Sequence, residues 1–591
     1  MREGKAKLFR AFCRALRIFD IISVDTGRIV RMNILLCVIV IVLLVGAKLY
    51  IDRRNYKKKI RERLLREWAS PIDEEYSPEK LRAIAEYYRD REPEKSEVVD
   101  DITWNDLDMD RVYQQMNHTK SAMGQEYLYY LLRCPVTDPK ELEERERLIS
   151  FFRTEKEARF MLQGEFATIG KEGSFSVYGY LDKINLLKKE TGIFSIIQFA
   201  AFLGGVISCI FVPDMMIMPT AVIAAVNMVT YYKRKAQMEK FYRLFAFVVR
   251  MIRFSETVSA LKIKELQTYF DRMKEKQGKF RRFCRGSWLV VGGGQMEGNI
   301  TDILMDYVRL LTHIDIIKFQ SMAGEVLRLQ KDLMDIYETV GFLDSMIAAA
   351  SYREMMKEWC VPEMEQAAGK KFYLEADEIY HPLLSEPVKN TIHAHRNVLL
   401  TGSNASGKST FIKTVAINAI LAQTLHTVLA DRYEAVYFRV YSSMALRDDI
   451  TSNESYYMVE IKSLKRIVDQ AMEEGEPVLC FIDEVLRGTN TVERIAASTE
   501  ILSLLAQKNA FCFAATHDIE LTELLKDQYD NYHFEEQVEE DDVIFDYRLR
   551  EGKAMTRNAI KLLHMIGYDR HIVQRAQDRV ENFVETGSWK M

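Results

Sequence analysis

The sequence predicts a multidomain protein in which transmembrane helices and an all-α region precede a C-terminal α/β domain. Its 591 residues are enough for several domains. Apolar stretches at 32–50 and 193–232 are long enough to cross a bilayer. Residues 240–365 have the pattern of long amphipathic helices, whereas from residue 370 short β-like runs, at 437–441, 478–482 and 510–515, alternate with helical patterns. That alternation is typical of a parallel α/β domain.

The composition is that of an ordinary globular chain, with 48% hydrophobic and 28% charged residues and a formal net charge of −4. Such a chain does not bind nucleic acid through bulk charge, so any such binding would need a local basic surface. The eight cysteines are scattered, without a CxxC pair or metal-like spacing. We therefore expect a reducing compartment, and neither a zinc site nor a disulfide framework.

Residues 1–31 form a basic, partly amphipathic segment, and two interpretations of it remain open. Basic side chains such as Lys5, Arg10 and Arg14 alternate with apolar ones such as Phe9 and Phe12. The segment could lie on an anionic membrane surface. Alternatively, it is an extension upstream of a start at Met32.

Residues 32–50 predict a first transmembrane helix, because they are almost wholly apolar. A cleaved signal peptide is the alternative, but no small-residue cleavage site follows the apolar run. The dense basic run at 53–63 places the following side of the membrane in the cytoplasm. Residues 51–104 then predict a charged helical linker.

Residues 193–232 predict a membrane hairpin with both ends in the cytoplasm. Two apolar runs, Ile193–Val212 and Met215–Tyr232, are separated by Pro213-Asp214 and flanked by basic residues. A buried helical hairpin of a soluble domain is the alternative. Apolar residues surround each predicted helix on all sides instead of forming one stripe, and this favours the membrane.

The stretch Asn397–Thr410 predicts a nucleotide site. It runs from an apolar strand into the pattern Gly402-x-x-x-x-Gly407-Lys408-Ser409, and a helix follows from near Lys408. The glycines let backbone N–H groups face phosphate oxygens, Lys408 reaches the β- and γ-phosphates, and Ser409 ligates Mg²⁺. The predicted binding residues are Gly402, Ser403, Asn404, Ala405, Ser406, Gly407, Lys408, Ser409 and Thr410. We expect ATP and Mg²⁺ as cofactors.

Two further apolar strands end in polar residues that suit nucleotide hydrolysis. The predicted strand at 478–482 ends in Asp483-Glu484, where Asp483 would hold Mg²⁺ and Glu484 would orient the attacking water. The strand at 510–515 ends in Thr516-His517. His517 could hydrogen-bond the γ-phosphate or the lytic water. A surface histidine that caps a strand is the alternative for His517.

Taken together, these segments resemble the ATPases of the DNA mismatch-repair MutS family. The helix after the phosphate loop ends in a similar segment, Leu421–Ala430, and Arg447–Glu460 is similar to the family's signature segment. In that segment a serine of the family reaches across a dimer to the partner's γ-phosphate, and the matching position is Ser455. Asp483–Asn490 resembles the family's Walker B strand end with its arginine-glycine-threonine extension, and Thr516-His517 its switch histidine. Thr119–Pro135, Gly341–Ala348, Cys360–Pro362 and His381-Pro382 extend the resemblance upstream.

The resemblance implies an architecture and a set of roles. It implies an ABC-like P-loop ATPase domain of the MutS type at 370–591, and an all-α core/lever domain at 105–365 that the hairpin 193–232 interrupts. It further implies a homodimer with Lys408, Ser455, Glu484 and His517 as catalytic residues, and Ser409 and Asp483 as magnesium ligands.

The sequence also departs from the family's pattern. No stretch matches the mismatch-reading domain with its Phe-x-Glu motif, and the hairpin falls where the family carries its DNA-gripping clamp. Asn453, Glu454 and Tyr456 replace the usual glycine, arginine and threonine of the signature segment, and Leu486 replaces a glycine. We therefore do not expect mismatch recognition of the family's kind.

The sequence thus predicts a membrane-tethered dimeric ATPase, multi-pass in the cell membrane with its ATPase domain in the cytoplasm, that moves helical lever arms. DNA and an unidentified protein both remain open as its partner. The alternative is a membrane ATPase that acts on a protein or membrane partner and has no nucleic-acid role. A transporter of the ABC type would be one form of it, but the chain lacks a Leu-Ser-Gly-Gly-Gln signature, and three spans make a thin translocation path.

Overall fold

The described part of the chain begins with α-helices and ends in two β-sheets. In this computed structural model the described residues are 58–72, 74–91, 98–171, 176–183, 192–291, 300–367, 371–403, 406–444, 456–487, 489–538, 543–553 and 567–586, with positions 48, 55, 560 and 563. The basic segment 1–31 and, apart from Lys48, the predicted transmembrane helix 32–50 lie outside them. The chain divides into two units after Ser70, and the described residues of the first unit are helical from 58 to 67.

The helical region occupies residues 78–356. Its described α-helices are α1 (Pro78–Asp90), α2 (Asp101–Asp106), α3 (Met109–Met116), α4 (Ala122–Arg133), α5 (Pro139–Thr154), α6 (Lys156–Ile169), α7 (Val177–Lys183), α8 (Ile193–Phe211), α9 (Pro213–Val258), α10 (Gln267–Gln277), α11 (Arg281–Cys284), α12 (Trp288–Val291), α13 (Ile300–Thr312), α14 (Ile314–Arg328) and α15 (Gln330–Met356).

Helices α4 and α15 cross closely at the centre of this region. A Cβ added at Gly124 would lie 2.2 Å from Asp344 Oδ2, and one at Gly341 would lie 2.7 Å from Tyr127 Cβ. The buried Asp344 accepts hydrogen bonds from the backbone N–H of Ser121 at 2.8 Å and from its hydroxyl at 2.6 Å. A carboxylate of α15 therefore caps the N-terminus of α4, where backbone N–H groups have no partner within the helix. Thr119–Pro135 and Gly341–Ala348, two of the four segments of upstream resemblance, thus pack against each other.

Helices α8 and α9 form the predicted hairpin, although α9 is longer than expected. The turn lies at Val212, and Pro213 occupies the first turn of α9, where its missing N–H costs little. The apolar pattern predicted an end near Tyr232, but α9 has 46 residues in all and ends at Val258. The backbone hydrogen bonds of a helix do not depend on side-chain polarity, so the change from apolar to charged residues at Lys233 does not end it. One continuous helix therefore joins the hairpin to the helical region.

The hairpin is exposed over most of its apolar surface. Ile193–Phe211 and Pro213–Ala236 are both long and apolar enough to cross a membrane, and only 11% of each apolar window is buried. The described residues thus leave most of this apolar surface uncovered.

Two sheets form the C-terminal region. The strands are β1 (Glu363–Glu365), β2 (Leu374–Ile379), β3 (Asn390–Ala394), β4 (Asn397–Thr401), β5 (Arg432–Val436), β6 (Arg439–Ser443), β7 (Val478–Asp483), β8 (Ala510–Ala515), β9 (Tyr529–Val538) and β10 (Val543–Glu551). The six-stranded sheet has the order β10-β9-β4-β8-β7-β6, and the four-stranded sheet the order β1-β5-β2-β3. The helices around them are α16 (Lys408–Leu425), α17 (Tyr456–Met472), α18 (Thr491–Gln507), α19 (Glu520–Leu524) and α20 (Arg570–Thr586).

The large sheet agrees with the predicted parallel α/β domain. Strands β9, β4, β8, β7 and β6 are parallel, and β10 pairs antiparallel to β9 at the edge. The strands predicted at 478–482 and 510–515 are β7 and β8, whereas the one predicted at 437–441 begins and ends two residues later, as β6. The smaller sheet, in which β2 pairs antiparallel to β3 and β5, had not been predicted.

Candidate nucleotide site

The predicted phosphate loop follows the buried strand β4 and leads into α16, which begins at Lys408. Gly402 has φ 147° and Gly407 has φ 108°, a backbone region that favours glycine. A Cβ added at Gly402 would lie 2.8 Å from the carbonyl oxygen of Phe534 and 2.9 Å from Ser406 Oγ. Gly402 is therefore required by both conformation and space. Asn404 and Ala405, which the sequence also predicts in this loop, lie outside the described residues.

The side chain of Lys408 folds back against the loop that precedes it. Its buried ammonium group donates to the carbonyl oxygens of Gly402 at 2.8 Å and Ser403 at 2.7 Å. The charge therefore lies beside the N-terminus of α16, where backbone N–H groups are unpaired within the helix. This arrangement can bind anionic phosphate oxygens.

Asp483 and Glu484 lie at the end of β7, next to the end of β8. Asp483 pairs with Ala515 in the sheet register, and the Glu484 N–H donates to the Ala515 carbonyl at 2.9 Å. Asp483 is buried, and its Oδ1 atom has no hydrogen-bond partner among the described residues. A buried carboxylate oxygen without a partner fits the oxygen ligation that Mg²⁺ requires.

Glu484 is held by two cationic or donating side chains. His517 Nε2 donates to Glu484 Oε1 at 2.9 Å, and Arg487 Nε lies against Glu484 Oε2. Burial alone would raise the pKa of Glu484, but the His517 hydrogen bond and the charges of Arg487 and Lys408 outweigh it and lower the pKa. The carboxylate is therefore kept ionised, as a group that accepts a proton from water must be.

The turn after β7 is fixed by a second carboxylate. Glu460 on α17 is buried and accepts a hydrogen bond from the Arg487 N–H at 3.1 Å. Burial raises the pKa of Glu460 above its usual value. Helix α17 begins at Tyr456, so the residue before it is Ser455, which lies outside the described residues together with 445–454.

Several of the predicted site residues line one cavity of about 590 Å³, which we call the nucleotide cavity. The predicted site residues in its wall are Ser406, Gly407, Lys408, Ser409, Thr410, Glu484 and His517. Gly402, Ser403 and Asp483 are not part of that wall. The other wall residues are Ile379, His381, Leu384, Glu386, Pro387, Val388, Asn390, Phe411, Thr414, Arg487, Phe534 and Tyr547.

Tyr547 is a wall residue that sequence reasoning missed. It lies on β10 within an irregular stretch between Phe545 and Leu549, with φ 53°. Asn390 fixes this stretch, because its side-chain amide donates to the Tyr547 carbonyl at 3.0 Å and accepts from the Leu549 N–H at 2.7 Å. No local motif marks Tyr547, since its place in the cavity depends on contact between two sheets.

Arg487 was also missed as a site residue, although a signal was present. It lies three residues after Glu484, within the segment that carries the resemblance. Its guanidinium contacts Glu484 and lies 3.9 Å from Asp483 Oδ2. A cation that follows two strand-end carboxylates could have been predicted to pair with them.

Comparison with known proteins finds relatives over the C-terminal region. Residues 398–584 match the family model described as MutS domain V. The chain is 32% identical over 185 residues to the DNA mismatch repair protein MutS of Thermus thermophilus, a match covering 31% of this chain and 22% of that protein. It is 38% identical over 186 residues to the protein of that name from Pseudothermotoga lettingae, with the same two coverages.

A longer match is found with the DNA mismatch repair protein MutS of Natronomonas pharaonis. The two chains are 31% identical over 274 residues, which is 44% of this chain and 31% of that protein. The chain thus spans less than a third of the length of each of these three relatives. The family model and the relatives agree on the family of the region that holds the site: residues 398–584 form a MutS-family domain.

Proposed function

We propose that this protein binds and hydrolyses ATP in the nucleotide cavity. The observation that carries the proposal is the convergence of three parallel strands on one cavity. Strand β4 leads into the loop with Lys408, β7 ends at Asp483 and Glu484, and β8 leads to His517. Since the carboxyl ends of parallel strands share one edge of a sheet, phosphate-binding and water-orienting groups face each other there.

Each side chain has a role that its contacts support. Ser409 and Asp483 would hold Mg²⁺, which neutralises charge on the phosphates when bound. Lys408 exchanges loop carbonyls for phosphate oxygens. Glu484 orients the attacking water and accepts its proton, and His517 keeps the carboxylate of Glu484 in place. Tyr547 and Val388 offer the adenine base a less polar wall in the same cavity.

We propose further that the working unit is a homodimer in which Ser455 completes the partner's site. The resemblance of residues 447–460 to the family's signature segment supports this. Helix α17, which follows Ser455 directly, is tied to the turn of Glu484 through Glu460 and Arg487. Ser455 therefore directly precedes a helix that is hydrogen-bonded to the turn after Glu484.

We propose that α8 and the first half of α9 anchor the protein in a bilayer. Helix α8 has 19 residues, about 28 Å at 1.5 Å per residue, which matches a hydrocarbon core of about 30 Å. Its exposed large apolar side chains are Ile193, Phe194, Ile196, Ile197, Leu203, Val206, Ile207, Ile210 and Phe211. Those of α9 are Met215, Ile217, Met218, Val222, Val226, Met228, Val229 and Tyr232.

The polar side chains of the hairpin face inward, the reverse of a water-soluble helix pair. Gln198 donates to Thr230 Oγ1 at 2.9 Å, and Asn227 donates to the Leu311 carbonyl at 2.7 Å. Both Gln198 and Asn227 are buried. Apolar groups outside with hydrogen-bonding polar groups inside is the arrangement that a bilayer favours. The amide nitrogens of Gln198 and Asn227 are paired, whereas Gln198 Oε1 and Asn227 Oδ1 have no partner among the described residues. Because α9 continues from the hairpin to Val258, the helical region would move relative to a segment that is fixed in the membrane.

The relatives are DNA mismatch repair proteins by name, so duplex DNA is a proposed partner of this chain as well. We propose weak binding without mismatch selection, because a hairpin held in a bilayer cannot close around a duplex as a free clamp would. A protein partner without any nucleic-acid role is the alternative. Binding of matched and mismatched duplexes to the detergent-purified protein across a salt series distinguishes them, because phosphate contacts give a steep salt dependence.

The hydrolysis proposal is tested by Glu484→Gln in the full chain. This variant should bind ATP as the wild type does but hydrolyse it roughly 100-fold more slowly, in line with the contribution of a general base. Glu500→Gln, which changes an exposed carboxylate on α18, is the matched control and should leave the rate unchanged. Turnover of Glu484→Gln at the wild-type rate would show that another group positions the water.

A further inference from the structure

The helix that begins at the phosphate loop ends inside the helical region. Helix α16 has 18 residues, about 27 Å at 1.5 Å per residue, and fifteen of them are buried. Its last carbonyl groups have no partner within the helix and carry the negative end of the helix dipole. Two buried arginines of the helical region, Arg145 on α5 and Arg353 on α15, satisfy these carbonyls. We call this pair the arginine clasp.

Arg353 makes the larger set of contacts. It donates through Nε to Thr427 Oγ1 at 2.8 Å, and through Nη2 to the carbonyls of His426 at 2.8 Å and Leu425 at 3.3 Å. Its Nη1 and Nη2 atoms also donate to the two carboxylate oxygens of Glu146 on α5, at 3.0 and 2.5 Å. One guanidinium thus joins α15, α5 and the end of α16.

Arg145 holds the preceding carbonyl in the same way. Its Nη1 atom donates to the Thr424 carbonyl, and its Nη2 atom pairs with Glu141 at 2.5 Å. The Val136 N–H donates to the neighbouring Gln423 carbonyl at 2.9 Å. Donors of the helical region therefore reach the carbonyls of residues 423–426, four in succession.

The arginine clasp does more than cap α16, because it couples movement of α16 to movement of α5 and α15. A phosphate that binds the N–H groups at the N-terminus of α16 acts on a rigid, buried helix. If that helix shifts, either the arginines move with it, or buried guanidinium groups lose several hydrogen bonds at once. Unpaired buried cations are strongly disfavoured. Movement of α5 and α15 together with α16 is therefore the favoured response.

We propose that Arg353 and Arg145 are positioning residues that transmit nucleotide binding from the phosphate loop, along α16, to helices α5 and α15 of the helical region. This rests on the proposed function, since it requires that the loop binds ATP. Other contacts join the two regions, such as Lys413 with Asp108 at 2.7 Å and Asp106 with Ser442 at 2.7 Å. These hold the side of α16 and strand β6, whereas the clasp holds the end of the helix that starts at the phosphates.

The test measures backbone hydrogen exchange in the detergent-solubilised full chain, with and without a non-hydrolysable ATP analogue and Mg²⁺. In the wild type we expect the nucleotide to change exchange in α15 by about tenfold, within the usual range of coupling between sites. In Arg353→Lys we expect less than about a twofold change in α15. Arg353 donates to four residues, Thr427, Leu425, His426 and Glu146, and the single nitrogen of a lysine, with three N–H donors, cannot reach all four at once. The first turns of α16 should still be protected by nucleotide in this variant.

Arg133→Lys is the matched control. Arg133 is similarly buried, but its partners are Val99, Tyr129 and Asp101. The Arg133→Lys variant should show the same nucleotide-induced change in hydrogen exchange of α15 as the wild type. Should Arg353→Lys fail to fold, Arg145→Lys applies the same test to α5.

Three results have separate meanings. Full wild-type coupling in both folded clasp variants would overturn the proposal. A wild type in which nucleotide protects α16 but leaves α5 and α15 unchanged would overturn it too, while the proposed ATP binding would stand. No protection of α16 by nucleotide in the wild type would instead count against the proposed function itself.

Discussion

At the scale of single residues, the turn after β7 uses backbone conformations that are unusual for side chains of this size. Glu484 has φ 61° and Leu486 has φ 59°. Each such residue costs about 1–2 kcal/mol in a left-handed conformation. Leu486 is buried, however, and burying a leucine stabilises by roughly 1.5–3 kcal/mol. Packing therefore offsets the strain at the position where the family carries glycine, and the turn can hold the Glu484 carboxylate in place.

Glu126 allows a pH-dependent prediction at the same scale. It is buried on α4 and accepts hydrogen bonds from Tyr337 at 2.5 Å, Val177 at 3.0 Å and Ser176 at 3.2 Å. Burial raises its pKa from 4.5 to about 8, although these hydrogen bonds oppose the rise. The stability this group contributes is therefore fully present below pH 4.5, decreases as the pH rises, and is lost above pH 8.

We expect Glu126→Gln to remove that dependence, because the amide stays neutral. The slope in the wild type should approach about 1.4 kcal/mol per pH unit between the two pKa values. Thermal unfolding of the detergent-solubilised chain should give a variant that gains on the wild type as the pH rises from 5 to 8. Glu256→Gln, at an exposed glutamate, is the control. Parallel curves for Glu126→Gln and the wild type would contradict the prediction.

At the scale of elements, motifs were predictable where local sequence determines geometry. Strand β4 with its loop and α16 was predicted because glycine spacing, an apolar strand and a helix adjoin in the chain. Strands β7 and β8 were predicted because apolar runs of five and six residues end in polar residues. Tyr547 and Asn390 could not be predicted, since their contact joins strands that are 157 positions apart.

The length of α9 was missed for another physical reason. The sequence pattern detects a change of environment from apolar to charged, at Lys233, and such a change often coincides with the end of an element. Here the environment changes along one continuous helix. The arginine clasp was missed as well, because an isolated arginine in an amphipathic helix normally faces solvent.

The hairpin gives a prediction with a built-in control. A Cβ added at Gly205 would lie 2.7 Å from Thr220 Oγ1 on the facing helix, whereas one at the adjacent Gly204 would meet nothing within 4 Å. Gly205→Leu should therefore separate α8 from α9 and destabilise the pair by about 1–3 kcal/mol, as overpacking does. Gly204→Leu should have little effect. The thermal midpoint of aggregation in detergent measures the difference, and equal midpoints would be inconsistent with this close packing.

At the scale of the whole molecule, the proposed homodimer can be tested by complementation. A Lys408→Ala chain lacks its own phosphate contact but still offers Ser455, while a Ser455→Ala chain keeps its own loop. A heterodimer of the two should contain one working site. In an equal, randomly exchanged mixture about half of the dimers are heterodimers, and each of these has one working site out of two. The mixture should therefore hydrolyse ATP at about one quarter of the wild-type rate. A mixture no more active than the separate variants would contradict the shared site.

The proposed membrane hairpin and the proposed ATP site together make a prediction about topology. If the site uses cytoplasmic ATP, the C-terminal α/β region lies inside the cell, and a hairpin that crosses the membrane twice places the residues before it inside too. We expect a cysteine at Asp214, exposed in the first turn of α9, to be labelled by an impermeant maleimide added to intact cells whose protein has no other cysteine. Cysteines at the exposed Glu75 and Lys526 should react only after the cells are permeabilised, which also controls for their accessibility.

Labelling at Glu75 in intact cells would contradict the even number of crossings. Protection of Asp214 before permeabilisation, with labelling after it, would place the hairpin inside the cell and remove the membrane anchor, while the nucleotide site would be unaffected.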